Sequence, residues 1–248
     1  MKAFIFNSGR GSRLGALTAE TPKALMTLTA GETILSRQLR LLMAAGVRDC
    51  IISTGYLAEQ IRAACAPFVV QGLRVTFVDN PDYASTNAIV SMHRAASTLQ
   101  DDDFLIMHGD LVFDEAWIGD VLATPAANLV AISEARPLSD KDFKARLEND
   151  RIAEIGVDIF GEACVNLMPF YKLSAASLAL WLGQVADYCR RGETRVYAET
   201  CAAPVLGEMH LRGFSYAGRL LMEIDTPEDL ALARRILADT QQGGSSCQ

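Results

Sequence analysis

The chain has 248 residues, half of them hydrophobic, enough to bury a sizeable core and suited to one large α/β domain carrying at most a small lid. Its formal net charge of −7 and the lack of any basic run exclude a nucleic-acid backbone as the main partner. No apolar stretch approaches the ~20 residues that span a bilayer and no cleavable leader opens the chain, so a soluble, cytoplasmic protein without membrane insertion is expected.

In chain order, a short apolar strand over residues 3–6 runs into Asn7-Ser8-Gly9-Arg10-Gly11-Ser12-Arg13-Leu14. Leu17-Thr18 and Pro22-Lys23-Ala24-Leu25 follow. Gly9 and Gly11 let backbone amides approach a bound group, and Arg13 and Lys23 neutralise negative charge, which together make a polyphosphate cradle. The glycines alone could merely shape a strand-to-helix turn. The dinucleotide fingerprint needs a third glycine and the P-loop needs Gly-Lys-Ser/Thr, so the two basic residues carry the discrimination.

Helical patterns over 34–45, 57–65 and 87–99 then alternate with strand patterns over 50–54, 74–78 and 104–108. Such alternation predicts βαβ units and a mostly parallel sheet flanked by helices. Ligands of such sheets sit at the carboxyl ends of the strands, where the loop after residues 3–6 and the Gly109-Asp110 turn both fall. Beyond Leu129, shorter alternating segments at 144–147, 152–155 and 165–173 predict antiparallel strands over the pocket. A helix over 175–190, a strand-like run over 220–225 and a closing helix over 227–237 complete the pattern, and the polar tail 241–248 reads as disordered. With no internal repeat and no long linker, residues 1–240 read as one domain. A homodimer is compatible with such a chain.

His108-Gly109-Asp110 and Glu223-Ile224-Asp225 each follow an apolar run. A lone Asp after a strand is commonly a turn or cap residue. Two in a chain that also carries a phosphate cradle fit Mg²⁺, which takes one or two carboxylates plus phosphate oxygens and water. Asp110 and Asp225 are the candidate ligands, with Glu223 a weaker one. The six cysteines include no Cys-x-x-Cys pair and the three histidines lack ligand spacing, which predicts reduced, mostly buried thiols.

Gly-x-Gly-x-Arg-Leu, Leu-Thr and Pro-Lys-Ala-Leu together resemble the signature of nucleotidyltransferases that make nucleotide sugars and CDP-linked head groups. Asn80-Pro81-Asp82-Tyr83 and Thr86-Asn87 through Ser91, the 142–147 and 151–156 segments, and Phe170-Tyr171-Lys172-Leu173-Ser174 are similar to the phosphocholine and aminoalkylphosphonate cytidylyltransferase branch. The resemblance extends to about Leu237. It implies a Rossmann-like α/β fold of the nucleotide-diphospho-sugar transferase type, CTP and Mg²⁺ as nucleotide and cofactor, and a small phosphate or phosphonate as the second substrate. It also implies metal aspartates at Asp110 and Asp225.

The implied reaction is in-line attack by a phosphoryl oxygen on the α-phosphorus, with pyrophosphate leaving. Such an oxygen needs no general base, so alignment and charge neutralisation are the protein's task. Lys23 is expected at the α-phosphate, and Arg13 with the Gly9–Ser12 amides at the leaving phosphates. Asn7, Ser8, Thr86 and Asn87 are expected in the base pocket, because cytosine needs both donors and acceptors. Asn87 could equally cap the helix it precedes.

Asn7-Ser8 stands where Ala-Ala is more usual, and Val157 where a lysine facing the acceptor phosphate is expected. Lys144 and Lys172 are the candidates to replace that lysine. For the acceptor's head group, a choline would want aromatics such as Tyr83 and Tyr197, and a primary amine would want carboxylates such as Glu199 and Asp82. Two other readings compete: a sugar-1-phosphate nucleotidyltransferase, and a nucleotide sensor that keeps the fold without turnover.

Overall fold

The computed structural model describes residues 1–135 and 137–243, the side chains of 241–243 excepted. The elements of the first half are β1 (Lys2–Asn7), β2 (Thr27–Thr29), β3 (Glu32–Thr33), α1 (Ile34–Ala44), β4 (Asp49–Thr54), α2 (Ala58–Val70), β5 (Arg74–Asp79), α3 (Ala88–Ala95) and β6 (Phe104–His108). Next come β7 (Leu111–Phe113), α4 (Trp117–Ala123), β8 (Leu129–Ser133), β9 (Lys144–Glu148), β10 (Arg151–Gly156) and β11 (Cys164–Leu173). The chain closes with α5 (Ala175–Arg190), α6 (Ala198–Ala202), α7 (Leu206–Met209), β12 (Arg212–Ser215), β13 (Leu221–Glu223) and α8 (Pro227–Gly243).

Among the described residues, nine strands form one sheet in the order β5-β4-β1-β6-β11-β8-β12-β10-β9. The first four are parallel, the layer that the βαβ alternation predicts. The antiparallel strands expected over the pocket continue this same sheet, with β11 pairing antiparallel to β6 and β9 folding back onto β11. β1 reads as an almost unbroken apolar run because both of its faces are covered. Phe4 and Ile106 pack with Ile89 and Met92 of α3 and Trp181 of α5, while Ala3, Ile5 and Met107 pack with α1, α2 and Trp117 of α4.

Local signals explain the boundaries. Thr33 and Ser36 form a reciprocal capping box that starts α1. α2 runs five residues past the expected end at residue 65, through Pro67 to Val70. α8 likewise continues through 241–243, where the sequence suggests a disordered tail, and residues 244–248 lie outside the described residues. Among the described residues, no helix is long and apolar enough to cross a membrane.

Candidate active site

From β1 the chain winds through β4 to β5 on one side, then crosses to β6 on the other side of β1. The carboxyl ends of β1 and β6 therefore flank a topological switch point, the place where open α/β sheets bind ligands. A cleft of about 280 Å³ opens there, lined by Asn7, Ser8, Gly9, Gly11, Arg13 and Lys23 from the first loop and by His108, Gly109 and Asp110 from the second. Ser12 begins the helical turn that follows and does not line the cleft.

Two glycines are demanded by this packing. The Gly109 amide donates to the Phe6 carbonyl at 2.9 Å, and a β-carbon on Gly109 would lie 1.8 Å from Asn7 Oδ1. Gly11 has φ of +68°, and a β-carbon there would meet the Lys23 stem at 2.9 Å. The glycine-rich loop is therefore packed along the lysine that the sequence pairs with it.

The charges converge through a short antiparallel ladder. β7 and β13 pair with Leu111 opposite Glu223, and the Ile224 amide donates to the Asp110 carbonyl at 3.1 Å. Asp110 and Asp225 are thereby neighbours despite lying 115 residues apart in sequence. Lys23 Nζ lies between them, 2.6 Å from Asp110 Oδ2 and 2.6 Å from Asp225 Oδ1, and Arg13 Nη2 reaches the same Asp225 oxygen at 2.9 Å. Burial works against the Lys23 charge, but the two aspartates outweigh it and raise its pKa. Burial likewise opposes the charge on Asp110, and Lys23 with His108 holds its carboxyl below the usual range.

Asp110 Oδ1 is buried without a hydrogen-bond partner. Carboxylate oxygens, one of them unsatisfied, are a donor set that suits a hard divalent cation. His108, Asp110 and Glu223 also present ligand atoms within 4.8 Å of one another.

On the β4 side the cleft is polar in a different way. Ser8 Oγ sits between two hydroxyls, 3.0 Å from Ser53 Oγ and 2.9 Å from Ser91 Oγ, and Asn80 Nδ2 donates to Ser91 Oγ at 3.1 Å. The Asp82 amide donates to Asn80 Oδ1, which fixes the orientation of that carboxamide. Thr86 and Asn87 complete this wall. Asn87 Oδ1 accepts from the Ala88 amide at 2.7 Å, so its side chain caps α3 while also facing the cleft. Sequence reasoning passes over Ser53, and it quotes Asn80 and Ser91 as part of a family pattern without assigning either to the cleft wall. The available signal was a buried serine one residue before the end of the apolar strand β4 and another on the buried face of α3.

The expected acceptor residues are scattered. Lys172 Nζ donates to the carbonyls of Thr124 at 2.7 Å and Val121 at 3.3 Å, closing the carboxyl end of α4. Its register partner is Leu105, so it lies toward the opposite end of β6 from the cleft, and burial lowers its pKa. Lys144 is fully buried, donates to the Ser139 and Asp142 carbonyls and lies 4.5 Å from the Phe160 ring centroid. The structure brings neither lysine to the cleft, because each ammonium is consumed by backbone carbonyls. Val157 packs against the core.

Tyr83 does line the cleft, on the Ser8 side beside Gly55. Tyr197 is half exposed with its ring against Phe143 at 5.0 Å. Glu199 is 1% exposed and 3.2 Å from His108 Nε2, an ion-pair distance without an aligned hydrogen bond. His108 Nδ1 faces Glu223 at 3.4 Å. Burial disfavours the imidazolium, yet Glu199 and Glu223 outweigh it and raise the His108 pKa well above its ordinary value.

Comparison with known proteins agrees with this geometry. The profile of the MobA-like NTP transferase domain matches residues 3–138. CMP-5'-(3-aminopropyl)phosphonate synthase of Streptomyces rubellomurinus is 36% identical over 146 residues, 58% of this chain and 23% of that protein. The 2-aminoethylphosphonate cytidylyltransferase of Lancefieldella rimae is 30% identical over 116 residues, 47% of this chain and 45% of that protein. The chain thus spans under half the length of these curated relatives. The solved CTP:phosphocholine cytidylyltransferase of Streptococcus pneumoniae superposes with a TM-score of 0.77 at 21% identity, covering 95% of this chain and 98% of that one, a likeness of fold. With its glycine-rich loop and paired aspartates at the switch point of the sheet, the chain belongs to the MobA-like NTP transferase family.

Proposed function

We propose that the protein transfers CMP from CTP to a small phosphonate or phosphate acceptor bearing an ammonium group, primary or quaternary, and releases pyrophosphate. The observation that carries this reading is the meeting of Lys23, Arg13, Asp110 and Asp225 at the carboxyl ends of β1 and β6. Phosphoryl transfer needs cations and alignment far more than it needs covalent chemistry. The two curated relatives named above lend the acceptor class, since both carry aminoalkylphosphonates in their names.

In this reading the backbone of Gly9 and Gly11 and the Arg13 side chain hold the β- and γ-phosphates, and Lys23 lies against the α-phosphate, where it offsets charge that builds in the transition state. Asp110 and Asp225 would hold Mg²⁺, which when bound polarises the phosphoryl oxygens and neutralises the leaving group. Ser8, Asn80, Thr86 and Asn87 read the cytosine edge, with Ser53 and Ser91 holding the Ser8 hydroxyl in place. Glu199 and Glu223, both facing His108 at the edge of the site, are the nearby carboxylates that the acceptor's ammonium would meet in this reading.

Pyrophosphate release measured with Mg²⁺ across CTP, UTP, GTP, ATP and dTTP tests the reading. Each nucleotide is paired with 2-aminoethylphosphonate, 3-aminopropylphosphonate, phosphocholine and glucose 1-phosphate. Release with CTP and an aminoalkylphosphonate or phosphocholine is expected. Release only with a sugar phosphate would replace the acceptor assignment, and CTP binding without release from any acceptor would favour a sensor.

A further inference from the structure

Lys23 and Arg13 balance the charges of Asp110 and Asp225 within one cluster. The Lys23 ammonium sits between the two aspartates assigned above to a divalent ion, 2.6 Å from one oxygen of each, Asp110 Oδ2 and Asp225 Oδ1. An ion coordinated by the same oxygens at ~2.1 Å would share that position with the ammonium. A divalent ion and the ammonium do not share those two oxygens, since at such separation and in a partly buried site their repulsion is large.

We infer that Lys23 is a stand-in cation that keeps the metal carboxylates closed until nucleotide phosphates draw it away, so that metal and nucleotide enter together. The inference rests on the assignment of Asp110 and Asp225 as metal ligands.

The surroundings supply the path. The Lys23 stem runs along Gly11, close enough that any β-carbon there would lie 2.9 Å from Lys23 Cβ and Cδ. The ammonium is therefore carried on a flexible stem flanking the loop assigned above to the phosphates, so side-chain torsions are the motion that would carry it from carboxylate to phosphate. Charge balance gives the direction. A divalent ion alone enters a cluster that already has its cation, and a nucleotide alone finds its lysine and arginine engaged by carboxylates. Entering together, the metal takes the aspartates and the phosphates take Lys23 and Arg13. Each ligand therefore lowers the cost of admitting the other, a coupling typically about 5–150-fold.

The test is Mn²⁺ binding to the full chain without nucleotide, followed by electron paramagnetic resonance and calorimetry. The wild type is compared with Lys23→Met, Lys23→Gln and Arg13→Met, each first checked for a native melting transition. The neutral Lys23 variants are expected to bind Mn²⁺ alone on the order of tenfold or more tighter than the wild type. Arg13→Met should gain less, because Lys23 still bridges both carboxylates. Adding Asp110→Asn to Lys23→Met should abolish the gain, locating the ion at these oxygens.

Equal Mn²⁺ affinity in wild type and both Lys23 variants would overturn the inference. So would wild-type Mn²⁺ binding that is as tight without nucleotide as with it. The nucleotide-free comparison uses neither CTP nor acceptor, so its failure is distinguishable from failure of the cytidylyltransferase reading, which the release panel tests.

Discussion

At the scale of single residues, the site depends on how closely two loops approach. Gly109 has no room for even a methyl group, since Asn7 Oδ1 occupies the space 1.8 Å from where its β-carbon would stand. Gly109→Ala is expected to cost about 1–3 kcal/mol in stability, as overpacking does, and to displace Asn7 and the adjoining Asp110. A lowered melting temperature together with a lower kcat checks this, and a wild-type melting curve with wild-type kcat would contradict it. Lys23, Arg13, Asp110 and Asp225 were legible in the sequence, because a phosphate cradle and two strand-terminal aspartates each carry a local signature. Ser53 was not, and Asn80 and Ser91 were visible only as letters of a family pattern, because their place in the site appears only when β4, α3 and the loop after β5 set them around Ser8.

At the scale of elements, α3 couples folding to the cleft. Asn87 caps it while facing the pocket, so the two roles separate by substitution. Asn87→Ala is expected to lose about 1 kcal/mol of stability through the lost cap, whereas Asn87→Ser keeps the cap and raises the KM for CTP. An unchanged KM in both variants would leave Asn87 as a cap alone. Lys172 is the reverse case, a residue whose sequence context suggests substrate and whose ammonium instead closes the carboxyl end of α4. Lys172→Met should change the melting temperature but leave kcat/KM for any acceptor within about twofold, since it lies away from the cleft. A much larger fall would return it to the acceptor site. The sequence could not reveal this, because the α4 end that Lys172 meets is some 50 residues away in the chain and α4 itself carried no clear signal.

At the scale of the whole molecule, the βαβ half was legible because parallel strands buried on both faces read as apolar runs between amphipathic helices. The second half was less so. β12 is only the four residues Arg212–Ser215, with a glycine inside, and antiparallel strands that extend a sheet look locally like those of a separate lid. Burial also sets the chemistry of the thiols. Desolvation pushes Cys65 and Cys201 up to about 12 and Cys50 higher still. At pH 8 a thiol with such a pKa is about one part in ten thousand thiolate. Iodoacetamide at pH 8 is therefore expected to leave these three cysteines unlabelled in the folded protein and to label them in urea, as peptide mass spectrometry would report. Labelling of Cys65 in the folded protein would contradict the packing of α2 on the sheet.

The central claim, that this cleft joins CMP to a phosphonate or phosphate oxygen, is tested most directly by following the phosphorus atoms. The protein is incubated with CTP, Mg²⁺ and 3-aminopropylphosphonate, 2-aminoethylphosphonate or phosphocholine in turn, and ³¹P NMR is recorded with time. The account predicts that one acceptor signal converts to an anhydride coupled to the former α-phosphorus, with pyrophosphate appearing in equal amount. Lys23→Met should slow that conversion by about a hundred- to a thousandfold. Spectra in which CTP and all three acceptors persist unchanged, or in which Lys23→Met converts them as fast as the wild type, would contradict it.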